Sequence, residues 1–109
     1  MYEGLNAVEN KVVNSMVMAD KLIRESSIKF IEYGYFGSVA RGTYNATSDL
    51  DIAMIVSELP SRKEMADLRC NLEAIDCDLV ILLNSSFSNP DTVFKSNVVR
   101  DYVKVGVYE

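Results

Sequence analysis

Over residues 6 to 25 the apolar positions Val8, Val12, Met16, Ala19, Leu22 and Ile23 recur at steps of mostly three and four, the spacing of one helical face. Ser26 and Ser27 interrupt it. Residues 28 to 36, IKFIEYGYF, are dense in β-branched and aromatic side chains with Gly34 near the end, which predicts a strand, and a central one. Ser38 to Arg41 suit a single helical turn closed by Gly42, and TYNATS then supplies small or turn-favouring residues. DLDIAMIV, residues 49 to 56, predicts the next strand, ended by Glu58 and Pro60.

Ser61 with Glu64 three residues on forms a capping-box pattern, opening a helix to about residue 74 whose apolar face carries Met65, Leu68, Cys70 and Leu72. IDCDLVILL, residues 75 to 83, is a strand pattern, apolar except for Asp76 and Asp78. After the turn-rich NSSFSNP, residues 91 to 102 place Val93, Phe94, Val98, Val99 and Tyr102 at helical spacing, and VKVGVY alternates like a short edge strand. The expected architecture is α/β (α+β): a mixed sheet of about four strands flanked by helices. At 109 residues it is expected to form a single domain over residues 1–109.

Composition narrows the function. With 49% hydrophobic and 25% charged residues the chain should fold as an ordinary globule. Its net charge of −5, with no basic run, argues against direct binding of a long nucleic acid. A single nucleotide held by backbone NH groups and cations remains compatible with that charge. No basic stretch followed by an apolar core opens the chain and no run is long enough to span a membrane, so a cytoplasmic location is expected. Histidine is absent and the only cysteines are Cys70 and Cys77, read as reduced core thiols. Acid–base chemistry must then use carboxylates, lysine, tyrosine or water.

The acids in the strand patterns are the candidate chemistry. In a strand, side chains two apart share a face, so Asp49 and Asp51 converge with Cα atoms about 6.5–7 Å apart. Leu50, Ile52, Met54 and Val56 take the opposite, core-facing side. By the same parity Asp76 and Asp78 share a face of the next strand. If the two strands are neighbours, three or four carboxylates gather, and such unpaired charges raise one another's pKa unless a cation intervenes. Hard oxygen donors select magnesium or manganese, and two such ions about 3.5–4 Å apart suit phosphoryl displacement. Ahead of them Gly37 permits close backbone approach to an oxyanion, Ser38 can donate to phosphate and Arg41 adds a charged donor. The P-loop and dinucleotide fingerprints are both absent. Each of these residues alone has an ordinary structural reading as a turn or cap; their combination points to nucleotide chemistry with metals.

GSVARGTYNATSDLDIAMIV, together with the acid in CDLVILL, resembles the minimal nucleotidyltransferase (MNT) family of the DNA polymerase beta-like nucleotidyltransferase superfamily, whose motif is a GS turn, ten residues and DxD, with a third acid on a later strand. The resemblance implies the nucleotidyltransferase fold, with Gly37 and Ser38 binding the triphosphate and Arg41 contacting nucleotide or protein. Asp49 and Asp51 would bind Mg2+, two ions with Mn2+ as a substitute, and Asp78, preferred to Asp76, would complete the metal site and help activate the acceptor hydroxyl. It implies transfer of AMP from ATP to a hydroxyl, that of a tyrosine, on a partner HEPN-domain toxin, with the chain as antitoxin in a hetero-oligomer. Two alternatives stay open: modification of a small hydroxylated molecule such as an aminoglycoside, and neutralisation of the toxin by contact without catalysis.

Overall fold

The computed structural model describes residues 7–43 and 49–107. The expected turn residues 44 to 48, helix residue Asn6, the side chain of Val8 and the strand end at Tyr108 lie outside them. In chain order the elements are α1 (Ala7–Glu25), β1 (Glu32–Phe36), α2 (Gly37–Arg41), β2 (Leu50–Val56), α3 (Arg62–Glu73), β3 (Cys77–Leu83), α4 (Asn84–Ser88), α5 (Val93–Asp101) and β4 (Val103–Val107). The four strands form one mixed sheet in the order β3-β2-β1-β4. β1 is interior and β4 an edge, as the pattern predicted.

β1 runs antiparallel to both of its neighbours, whereas β2 and β3 are parallel. Parallel neighbours require a crossover, and α3 supplies it. Its start is secured as expected: Ser61 accepts from the Glu64 backbone N–H, and the Glu64 carboxylate accepts from that of Ser61. Leu68 and Leu72 of α3, with Ala19 and Ile23 of α1, close over Tyr33, Ile52, Met54 and Val56 on one face of the sheet.

The other face is not left to solvent. Phe36, Ala53, Ile55 and Leu82 form a second core with Val98 of α5. Both faces of β2 are therefore buried, which corrects the reading of a single core side; strict alternation in β2 fails because α5 covers the second face. Other differences have equally local causes. Residues 28 to 31 precede the ladder of β1, although Ile28 and Phe30 are buried there. NSSFSNP, read as turn, makes the short helix α4, followed by Thr92 capping α5. Cys77 lies in the core, but Cys70 is exposed, because two positions beyond Leu68 a helical side chain points away from the buried face.

Candidate functional site

The sheet's hydrogen-bonding pattern brings the candidate residues to one end. In the parallel β2–β3 pair, Asp51 is the register partner of Asp78. Parallel partners in register project to the same face, so the two carboxylates are neighbours across about 4.8 Å of sheet. In the antiparallel β1–β2 pair Asp51 is also the partner of Phe36, the last residue of β1, and the chain turns directly into α2 at Gly37. One strand end thus collects the Gly37 turn, Asp51 and Asp78, residues up to 41 positions apart.

Gly37 has φ +74°, in the left-handed region, and a side chain there would run into the Asp51 carboxylate, whose Cγ lies 3.2 Å from the position of a Cβ. The turn and the acid are in van der Waals contact only because residue 37 is glycine. Ser38 follows in the first turn of α2, half-buried, and its carbonyl accepts from the Thr43 N–H at 2.9 Å. Gly42, φ +76°, caps the helix with its N–H directed to the Ser38 and Val39 carbonyls.

Asp49 and Asp78 are exposed and Asp51 is half-buried. Burial pushes the Asp51 carboxyl above its ordinary value; the charges of Asp78 and Asp49 push it further in the same direction, and Arg41 opposes them. Asp78, Asp49 and Arg41 therefore all lie within electrostatic reach of Asp51. Among the described residues no group of three acidic, cysteine or histidine side chains is gathered tightly enough to hold a metal ion as it stands. The donor set suits a hard divalent cation nonetheless, since the candidate acids Asp49, Asp51 and Asp78 offer only carboxylate oxygens.

Asp76 is not brought in. It precedes β3 in a turn, with φ +59°, so strand parity does not apply to it, and the reading that it shares a strand face with Asp78 is corrected. Its backbone carbonyl accepts from the Leu50 N–H at 3.1 Å, and its carboxylate lies 3.9 Å from Lys11. Likewise β2 begins at Leu50, so Asp49 stands just ahead of the strand rather than in it. Cys77, between the acids, has its thiol pushed up to about 11 by burial and by the charges of Asp76, Asp49 and Asp78, which makes it inert.

Arg41 is placed differently from a free phosphate donor. Its Nη1 donates to Asp101 Oδ2 at 2.6 Å, across from α2 to the end of α5. No local pattern singled out Asp101: it lies 60 positions from Arg41 and beside Arg100, where it reads as an ordinary helix-end charge pair.

The family model described as polymerase beta, nucleotidyltransferase matches residues 17–105, and the chain belongs to that family. Its structural neighbours are MNT-type nucleotidyltransferases, including MntA–HEPN toxin–antitoxin complexes. A solved toxin–antitoxin with AMP-PNP superposes with a TM-score of 0.59 at 26% identity, over 96% of this chain and 76% of that one. A complex of a tri-AMPylated Shewanella oneidensis HEPN toxin with MNT antitoxin gives 0.58 at 21% identity, over 90% and 73%. The MntA–HepT toxin–antitoxin gives 0.56 at 21%, over 89% and 73%; at that identity these last two speak for the fold alone. No curated protein matches the chain significantly.

Proposed function

We propose that this chain transfers AMP from ATP to a hydroxyl of a HEPN-domain toxin, a tyrosine being the first acceptor to test, and acts thereby as the antitoxin. The observation that carries the reading is the register Asp51↔Asp78, with Gly37 against the Asp51 carboxylate. Membership of the nucleotidyltransferase family and the likeness to a toxin–antitoxin bound to AMP-PNP support it.

In this reading the Gly37 and Ser38 backbone N–H groups and the Ser38 hydroxyl bind the triphosphate, and Arg41 donates to it. Asp49, Asp51 and Asp78 would hold Mg2+, as one or two ions replaceable by Mn2+. Bound there, the metal would offset charge on the attacking and leaving oxygens. The acceptor oxygen forms a bond to the α-phosphorus while the α–β bridging P–O bond breaks, pyrophosphate leaves, and Asp78 accepts the hydroxyl proton. Half-burial of Asp51 keeps bulk water from one side of the cluster.

The test is to incubate the chain with labelled ATP, magnesium and a HEPN protein encoded beside it, in parallel with Asp49→Asn and Asp51→Asn. Intact mass should show AMP added to the HEPN protein by the wild type and not by either variant. Full neutralisation of the toxin by both variants, with no added mass, would overturn the enzymatic reading in favour of contact alone.

A further inference from the structure

Among the described residues Asp101 is the most enclosed of the salt-bridged carboxylates, and the reaction outlined above gives it no role. Its side chain is only 8% exposed, against 47% for Arg41 and 66% for Arg100. One carboxylate oxygen, Oδ2, accepts from Arg41 Nη1 at 2.6 Å; the other, Oδ1, accepts from Arg100 Nε at 3.0 Å. The anion is thus fixed between two guanidinium groups at the end of α5, a helix whose Val98 is buried in the second core.

By contrast, α2 has little of its own to hold Arg41 in place. It is five residues long, buries none of them and ends at a left-handed glycine. Released from Asp101, an arginine at its last turn would sample many rotamers, and the carboxylate of Asp51, whose strand end adjoins the start of α2, would attract it. An arginine collapsed onto Asp51 would occupy the oxygens that a cation needs.

We infer that Asp101 is a positioning residue, holding Arg41 at the rim of the site, away from the Asp51 carboxylate and with its remaining donors open to the polyphosphate of the nucleotide. The inference rests on the nucleotidyltransferase reading for its ligand, not for its geometry. A guanidinium has five N–H donors, and the structure engages one of them with Asp101, so several stay available for phosphate oxygens.

A double-mutant cycle on the full chain tests it, using Asp101→Asn, Arg41→Ala and the pair, with the affinity for AMP-PNP and magnesium measured by calorimetry and the KM for ATP measured in the transfer assay. Asp101→Asn should weaken AMP-PNP binding about fivefold, the order expected for freeing one rotamer-rich side chain, and raise KM by more than it lowers kcat. Asp101→Glu should recover part of the loss. In the Arg41→Ala background, Asp101→Asn should have almost no further effect on binding. The Nε–H resonance of Arg41 should be ordered in the nucleotide-free wild type and averaged in Asp101→Asn, a readout that needs no activity.

Multiplicative losses in the double variant, or an unchanged Arg41 resonance, would overturn the positioning role while nucleotide binding by the wild type stands. Absence of AMP-PNP binding by the wild type would remove the ligand and defeat both readings together. A loss of melting temperature in Asp101→Asn with unchanged affinity would assign Asp101 to the fold alone.

Discussion

Replacing Gly37 by alanine isolates the contact on which the site depends, because a second glycine provides a matched control. Gly37 opens and Gly42 caps the same short helix, with nearly equal positive φ, +74° and +76°. An L-residue in the left-handed region costs about 1–2 kcal/mol, so both alanine variants carry that penalty. Among the described residues the new methyl meets something only at residue 37: it overlaps Asp51 Oδ2, whereas at residue 42 no described atom lies within 4 Å. Relieving the overlap moves the Asp51 carboxylate on the order of 1 Å and off its rotamer, adding about 0.5–1.5 kcal/mol. Gly37→Ala should therefore unfold at lower denaturant by about 1.5–3.5 kcal/mol in total and Gly42→Ala by about 1–2 kcal/mol. The transfer rate should separate them far more sharply. A displacement of that size in a group positioned for chemistry costs about 100-fold, while Gly42→Ala should stay within a few-fold of wild type. Equal activity in the two variants, or equal loss in both, would refute the contact between Gly37 and Asp51 as the reason for glycine at residue 37.

Three further outcomes follow from the same geometry. Asp51 is held above its ordinary 3.8 in the folded chain, so its contribution to stability is full below 3.8 and is lost as pH rises through the raised folded value; the pH dependence of the melting temperature in wild type minus Asp51→Asn should show that loss, and Asp51→Asn should be the more stable at neutral pH. Magnesium chloride should raise the melting temperature of the wild type at pH 7 and EDTA should reverse it, with a smaller shift in Asp51→Asn; an equal shift would place the cation elsewhere. Ser61→Ala removes the capping box of α3, far from the acids, and should cost about 1 kcal/mol, about 4–8 °C in melting temperature, with transfer by calorimetrically intact protein unchanged.

How much was legible in the sequence varies by residue. The glycine turn and the acids stood out because a charge between apolar neighbours in a strand is costly without a purpose, and the period of two is local information. The capping box and the interior position of β1 came from signals equally local. Asp76 against Asp78 is a different case: both satisfied the alternation, the resemblance favoured Asp78, and the left-handed turn at Asp76 with the start of β3 at Cys77 gives the physical reason that separates them. α4 escaped notice because NSSFS has the composition of a turn and no apolar period. Cys70 was misplaced by counting it with an apolar face that the helix does not turn toward the sheet.

The sequence by itself determined the elements other than α4, their approximate ends and the residue types capable of metal and phosphate chemistry, because hydrophobic period, caps and turn residues act within a few positions. What only the tertiary structure decided is which of those residues meet. The parallel register of β2 and β3 sets Asp51 beside Asp78, the antiparallel register of β1 sets the Gly37 turn against Asp51, and the packing of α5 over the second face of the sheet sets Asp101 against Arg41. Those pairings join residues from 14 to 60 positions apart, and they arise from burying two apolar faces at once, a condition the whole fold satisfies and no segment encodes alone.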